Sequence, residues 1–351
     1  MSTVTGTRPA VSSLRGASLP RWSFPALAVA VIGAASVLFV LTPLQGKADF
    51  VVFAAGLYAL AQSALSAVVE GARRAKDRLA ATLTTAALIL AVLPLGAVLG
   101  YTISQGHKRF DSIFFTHSML SVADSDAGGG VYHAIIGTLE QVGIATLLSV
   151  PLGLLVSIYL VEYGRGRFGR LVSTFVDVMT GLPSIVAGLF VLALWVLILK
   201  QGYSGFAGAL ALVILEIPVV VRTTEEMLRL VPDALREASY ALGIPRWRTI
   251  VSIVLPAALP GITTGVMLAI ARVSGETAPL LLTVFGSAAI NFNPFTGPQE
   301  GLPLFVFNQA GLPNNTALDR AWAGALTLIV IVVLLNVTAR LLIRRSVLRP
   351  R

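Results

Sequence analysis

Long apolar runs separated by short polar connectors fill most of this chain. A helix needs about 20 mainly apolar residues to cross the hydrocarbon core of a bilayer. Runs of that kind recur near 24–43, 49–69, 80–103, 133–161, 171–199, 205–222, 257–283 and 321–343. The pattern predicts an all-α polytopic membrane protein of about eight transmembrane helices. Two runs are irregular. The run at 205–222 is short and carries Glu216 and Pro218; the run at 171–199 is interrupted by Gly181-Leu182-Pro183-Ser184. The first part of the latter either crosses or lies along the interface. The first run is followed at once by a second and by no small-residue cleavage site, so it reads as a retained helix rather than a signal peptide.

Composition agrees with lipid as the main solvent. The chain is 56% hydrophobic and 12% charged, against about 25% charged in soluble domains. A net charge of +9 suggests nucleic acid only when it forms one surface, and here the basic residues sit between apolar runs, so no nucleic-acid partner is expected. Alternate connectors carry Arg8, Arg15, Arg21; Arg73, Arg74, Lys76, Arg78; Arg165, Arg167, Arg170; Arg222, Arg229, Arg236, Arg246, Arg248; and Arg340, Arg344, Arg345, Arg349, Arg351. The other connectors hold only Lys47, Lys108, Arg109 and Lys200. The positive-inside bias places both termini and the segment 223–256 in the cytoplasm. The absence of cysteine excludes disulfides and thiolate sites. His107, His117 and His133 lack the spacing of a helical metal motif and read as polar loop residues, so neither a metal site nor a catalytic residue is expected. Two outside connectors are long: 104–132, where Gly128-Gly129-Gly130 reads as a flexible entry to the next span, and 287–318, rich in Pro and Asn turn residues.

The segment 223–256 is too polar and too patterned to be a linker. Thr224 reads as a helix cap followed by Glu225 and Glu226 in a first turn, where carboxylates are favoured. Pro232 restarts a helix at Asp233. Leu235, Ala238 and Leu242 share one face of it, and Gly243 fits the left-handed position after its end. Pro245 opens a second helix, and Pro256 ends that helix and leads into the membrane. A short helix, a glycine turn and a second helix joined to a span suit docking, because a push on the loop moves the span.

Glu237-Ala238-Ser239, Gly243 and Leu255-Pro256 resemble the EAA loop of ABC-importer permeases, with Ser239 where many members have alanine. Val221–Leu228, Gly181–Phe190 and Ala271–Leu280 are similar to the phosphate branch of that family. The resemblance covers roughly residues 80–345. It implies a type I ABC-importer permease domain at 80–345, an N-terminal extension at 1–79 with two extra spans, and a basic tail at 346–351. It further implies that Glu237, Ala238 and Gly243 couple to a cytoplasmic ATPase dimer. The remaining implied partners are a second, homologous permease and an extracytoplasmic phosphate-binding protein. The chain has no G-x-x-x-x-G-K-[ST] phosphate cradle. It binds no cofactor on this reading, and ATP is used by the partner ATPase.

Charges inside spans are costly and are candidates for function. Glu140, Asp177, Glu216, Arg272 and Glu276 fall there. Inter-helix polar contacts suit Glu140 and Glu216, and Asp177 falls near the cytoplasmic interface. Arg272 offers a planar fork of donors suited to phosphate oxygens, with Ser274 and Thr277 nearby; Gly275 and Pro279 can loosen the helix. Glu276, at i+4, either neutralises Arg272 as a structural pair or prevents over-tight capture of an anion. Gly261, Gly265 and Ala269 recur at four-residue spacing and predict close packing against a partner helix. An importer of another oxyanion (molybdate, sulfate, phosphonate) shares most of these features. An ion-driven secondary transporter leaves the cytoplasmic loop unexplained, and a membrane enzyme lacks a catalytic cluster.

Overall fold

The computed structural model describes residues 19–20, 22–40, 46–164 and 166–347. Arg8, Arg15, Arg21, Arg165, Arg349 and Arg351 of the orientation pattern lie outside the described residues, as does most of the basic tail. Seven described helices are long and apolar enough to cross a membrane, and eight spans result if one bent pair counts as a span.

The chain divides into two compact units, Met1–Leu99 and Gly100–Arg351. The first contains α1 (Ser23–Val40), α2 (Lys47–Val69) and most of α3 (Ala72–Gly106). α3 begins at Ala72, well before the apolar run at 80. Its first turns are polar and held from the α2–α3 turn, where Glu70 accepts from Arg78 at 2.6 Å and from the Leu19 amide at 2.7 Å. Leu88, Leu90, Leu93, Leu95 and Val98 are all more than half exposed. Such a surface is stable only with lipid around it.

The second unit contains α4 (Ser112–Thr116), α5 (Tyr132–Ile158), α6 (Arg167–Thr180), α7 (Ser184–Val191), α8 (Gly205–Arg229), α9 (Asp233–Ala241), α10 (Arg246–Thr249), α11 (Leu255–Val273), α12 (Ala278–Thr283), α13 (Leu302–Ala310) and α14 (Asn315–Val347). π-helical turns at Tyr159–Tyr163, Leu192–Ile198 and Ile250–Val254 follow α5, α7 and α10. α8 is the central helix, with more than half of its span buried. Its main neighbour is α5, whose Ala145, Ser149, Gly153 and Ser157 are all buried at four-residue intervals. Small residues at that spacing let two backbones approach. A Cβ on Gly153 would stand 2.6 Å from Val220 Cγ1, and Ser157 Oγ donates to the Val221 carbonyl at 2.9 Å. Gly261 and Gly265 of α11 do the same against α8, meeting Met227 and Thr223.

The interruption expected at Gly181–Ser184 is present as a 105° bend between α6 and α7. Several other sequence expectations are corrected. α8 does not stop at Arg222 but runs to Arg229, and Thr224 is fully buried in its interior with Oγ1 unpartnered, not a cap. The polar stretch continues the helix because Glu225 is neutralised from both sides, by Arg222 at 2.5 Å and Arg229 at 2.7 Å. Pro256 does not end a segment: helical structure is continuous from Arg246 to Val273, the π turn preceding it. The expected span 257–283 is broken after Val273, beside Gly275. The connector 287–318 contains a helix, α13, opened by Pro303 in its first turn. His133 is no loop residue: it is buried in α5, with Nε2 3.0 Å from Glu300. Gly128–Gly130 is not a loose entry either. Arg320, fully buried, donates to the carbonyls of Asp124, Asp126 and Gly128 and fixes that segment.

Candidate functional site: the polar hairpin and the broken span

α9 begins at Asp233 because Pro232 fixes the preceding residue and cannot continue a helix from α8. It ends at Gly243, whose φ of +75° is open to glycine and strained for other residues. The Gly243 amide donates to the Tyr240 carbonyl at 2.9 Å and the Ile244 amide to the Ser239 carbonyl at 3.2 Å. That pair of bonds satisfies two carbonyls at the helix end and sends the chain back on itself. Ser239 is buried and shares a 2.7 Å hydrogen bond with Thr249 of α10. The serine therefore ties the two helices of the hairpin together, on the side away from solvent.

Much of the rest of α9 is bare. Leu235, Glu237, Ala238 and Leu242 are exposed, Leu242 by 80%. Trp247 of α10 is also more than half exposed. Leu235, Ala238 and Leu242 lie on one helix face, so this polar-rimmed stripe has the form of a docking surface. Beneath the hairpin, Leu228, Val231, Val254, Ala258 and Ile262 form a buried cluster with Ile158 and Val161 packed against it. The loop is thus seated on the ends of α5, α8 and α11.

In the membrane, α11 ends at Val273, and Ser274-Gly275-Glu276 turn before α12 starts at Ala278. The break separates the four residues singled out here. Arg272 is exposed on the last turn of α11, where the helix dipole favours a cation. Ser274 is buried, its Oγ spent on the Ile270 carbonyl at 2.7 Å, and it lines a 240 Å³ cavity against Val332, Leu335 and Asn336 of α14. It does not share the arginine's face. Glu276 and Thr277 lie half-buried in the break. Arg272 and Glu276 form no ion pair among the described residues, because the helix that would carry the i, i+4 contact stops between them.

α7 packs on α12 where a Cβ at Gly188 would come 2.7 Å from Pro279 Cα. Gly181–Phe190 and Ala271–Leu280 therefore meet in space, and both lie against α8. The other in-span carboxylates contact neighbouring elements, with Glu216 Oε2 buried and unpartnered. Glu140 accepts from Gln299 at 2.5 Å, and Glu216 accepts from Thr146 at 3.2 Å. Asp177 pairs with Arg222, which also donates to Ser173 at 3.0 Å. The last arrangement joins α6 to α8, a contact that no local pattern around Arg222 shows.

The bundle is membrane-embedded, and α9 carries an exposed apolar stripe at one end of it. The profile of the family "Binding-protein-dependent transport system inner membrane component" matches residues 149–349. The "Phosphate transport system permease protein PstA 1" of Mycobacterium tuberculosis is 49% identical over 271 residues, which are 77% of this chain and 89% of the relative. The "Phosphate transport system permease protein PstA" of Mycobacterium leprae is 48% identical over 267 residues, 75% of this chain and 87% of the relative. A crystal structure of a bacterial ABC transporter involved in the import of the acidic polysaccharide alginate shares the fold, with a TM-score of 0.54 at 15% identity over 78% of this chain and 99% of that one. The chain belongs to the binding-protein-dependent transport system inner membrane component family, in its PstA-type branch.

Proposed function

We infer that this chain is the membrane-spanning permease subunit of an ATP-driven phosphate importer. It forms part of the translocation pathway with a second, PstC-like permease. A cytoplasmic PstB-like ATPase dimer drives it, and an extracytoplasmic PstS-like protein delivers phosphate. Residues 80–345 make the permease domain and 1–79 an added pair of spans. Both termini face the cytoplasm.

The observation that carries this reading is the exposed apolar stripe of α9, Leu235–Ala238–Leu242, with Glu237 exposed beside it, on a hairpin closed by Gly243 and seated on three spans. An ATPase that grips this face moves α8 and α11 together. Arg272 supplies the substrate end. An unpaired guanidinium at membrane depth is tolerated only toward water or a polar partner, so its exposed side faces the pathway shared with the second permease. There it attracts an oxyanion through its planar donors, and Glu276 and Thr277, in the adjacent break, keep that hold weak enough for release.

Co-expression with the PstC-like and PstB-like chains tests the arrangement. Affinity purification through this chain should recover both, and Glu237→Lys should lose the ATPase while keeping the second permease. Recovery of the ATPase at full yield by Glu237→Lys together with Gly243→Val rejects the docking face.

A further inference from the structure

The docking face tells where a push arrives but not how it leaves the hairpin. Two arginines, one from each helix of the hairpin, reach the same place. Arg236 of α9 is 12% exposed as a side chain and donates through Nε to Glu162 at 3.1 Å; Glu162 is 4% exposed. Arg246, at the start of α10, stands 4.8 Å over the ring of Tyr163. Glu162 and Tyr163 are consecutive residues of the π-helical turn that ends α5. The rest of the Arg236 fork is also committed. Nη1 donates to the Val231 carbonyl at 2.6 Å and Nη2 to the Leu228 carbonyl at 2.9 Å. Those carbonyls lie at and just beyond the end of α8, where helix carbonyls have no partner of their own.

We propose that Arg236 and Arg246, gripping Glu162 and Tyr163, are the positioning residues through which movement of the α9–α10 hairpin is passed to α5. Three physical points support it. A buried, hydrogen-bonded guanidinium–carboxylate pair is directional, and without Glu162 the guanidinium keeps only the exposed carboxylate of Asp233, at 3.1 Å. The grip is on α5, the helix most closely packed on α8, so both members of that central pair follow the hairpin as one body. A π-turn carries one extra residue per turn at a point of altered hydrogen bonding, which suits a place where a helix end is re-aimed. Glu162 is 4% exposed and lines a cavity with Arg236 and Glu237, so ATPase capture and transport are read separately in each variant.

The proposal rests on the docking role of α9, and the test keeps the two apart. Glu162→Ala, Glu162→Gln and Tyr163→Ala are made in the assembled transporter, because Arg236→Ala would also leave the helix-end carbonyls of α8 without donors. ATPase recovery on purification reports docking. Phosphate imported per ATP hydrolysed reports transmission. All three variants should retain the ATPase as the parent does, while Glu162→Ala and Tyr163→Ala lower phosphate per ATP by roughly 5- to 150-fold, the range of a typical coupling between linked sites. Glu162→Gln, which keeps an acceptor without the charge, should fall between. Unchanged phosphate per ATP in Glu162→Ala overturns the proposal. If Glu162→Ala fails to accumulate, Glu162→Gln decides: parental coupling in it overturns the proposal. Loss of the ATPase from both Glu162 variants overturns it too, since the pair would then merely hold the docking face. Failure of the parent chain to recover any ATPase removes the docking reading and this inference with it.

Discussion

Gly243 isolates a backbone effect from every other. A Cβ added there meets nothing within 4 Å, so a side chain has room. The only obstacle is φ of +75°, a left-handed conformation that costs an L-residue about 1–2 kcal/mol. Relaxing that strain moves the Gly243 and Ile244 amides off the Tyr240 and Ser239 carbonyls, and α9 loses its fixed end. A penalty of 1–2 kcal/mol shifts an equilibrium about 5- to 30-fold. The population of the docking-competent hairpin, and hence apparent affinity for the ATPase, should fall by that factor in Gly243→Ala. Gly243→Val should be worse, because its branched Cβ resists this region further. Gly243→Asn should be milder, since asparagine visits left-handed backbone most readily after glycine. Titration of the purified permease pair with the ATPase measures the series directly, with phosphate uptake alongside. Parental affinity in Gly243→Ala, or an order in which Asn is worse than Val, refutes the reasoning.

Arg272→Ala should abolish most phosphate uptake at normal membrane abundance, and Arg272→Lys should recover little because an ammonium lacks the planar fork. The exchange of Arg272→Glu with Glu276→Arg should not rescue uptake, since no helix turn joins the two; full rescue would restore the structural-pair reading. Gly188→Leu should reduce membrane abundance through overpacking of about 1–3 kcal/mol or more, because Pro279 backbone lies against it; unaltered abundance would dissociate α7 from α12. Reporter fusions after residues 75, 235 and 300 should read inside, inside and outside. An outside signal at 235 would remove the hairpin from the ATPase.

The parts of this fold that hydropathy controls were readable before any coordinates. The runs, the hairpin and its glycine follow from length, turn chemistry and the φ requirement of one residue. The break near Gly275 and Pro279 was signalled by helix breakers inside an apolar run. Elements set by tertiary pairing were not readable. Thr224-Glu225-Glu226 has the composition of a helix start, yet two arginines and burial of Val221 and Leu228 keep it inside α8. α13 hides in a turn-rich connector. Its one local sign is Gly301-Leu302-Pro303, a proline placed where an opening turn tolerates it. The small-residue stripe of α5 from Ala145 to Ser157 gains its meaning only in the structure, where α8 lies on it. At the broken span, proximity in sequence misled. Ser274 and Arg272 are two residues apart, about 200° around a helix, and the structure turns the serine toward α14 and leaves the arginine exposed. Arg236 and Glu162 are 74 residues apart, and no local pattern joins them.

The central claim is that this chain carries phosphate inward when a partner hydrolyses ATP. Vesicles containing this chain, the PstC-like permease and the PstB-like ATPase, with the binding protein on the side opposite the ATPase, measure it with labelled phosphate. The account predicts phosphate accumulation that needs ATP, needs this chain, and is not displaced by excess molybdate or sulfate. ATP-independent accumulation, or uptake of one of those other anions in place of phosphate, would contradict it.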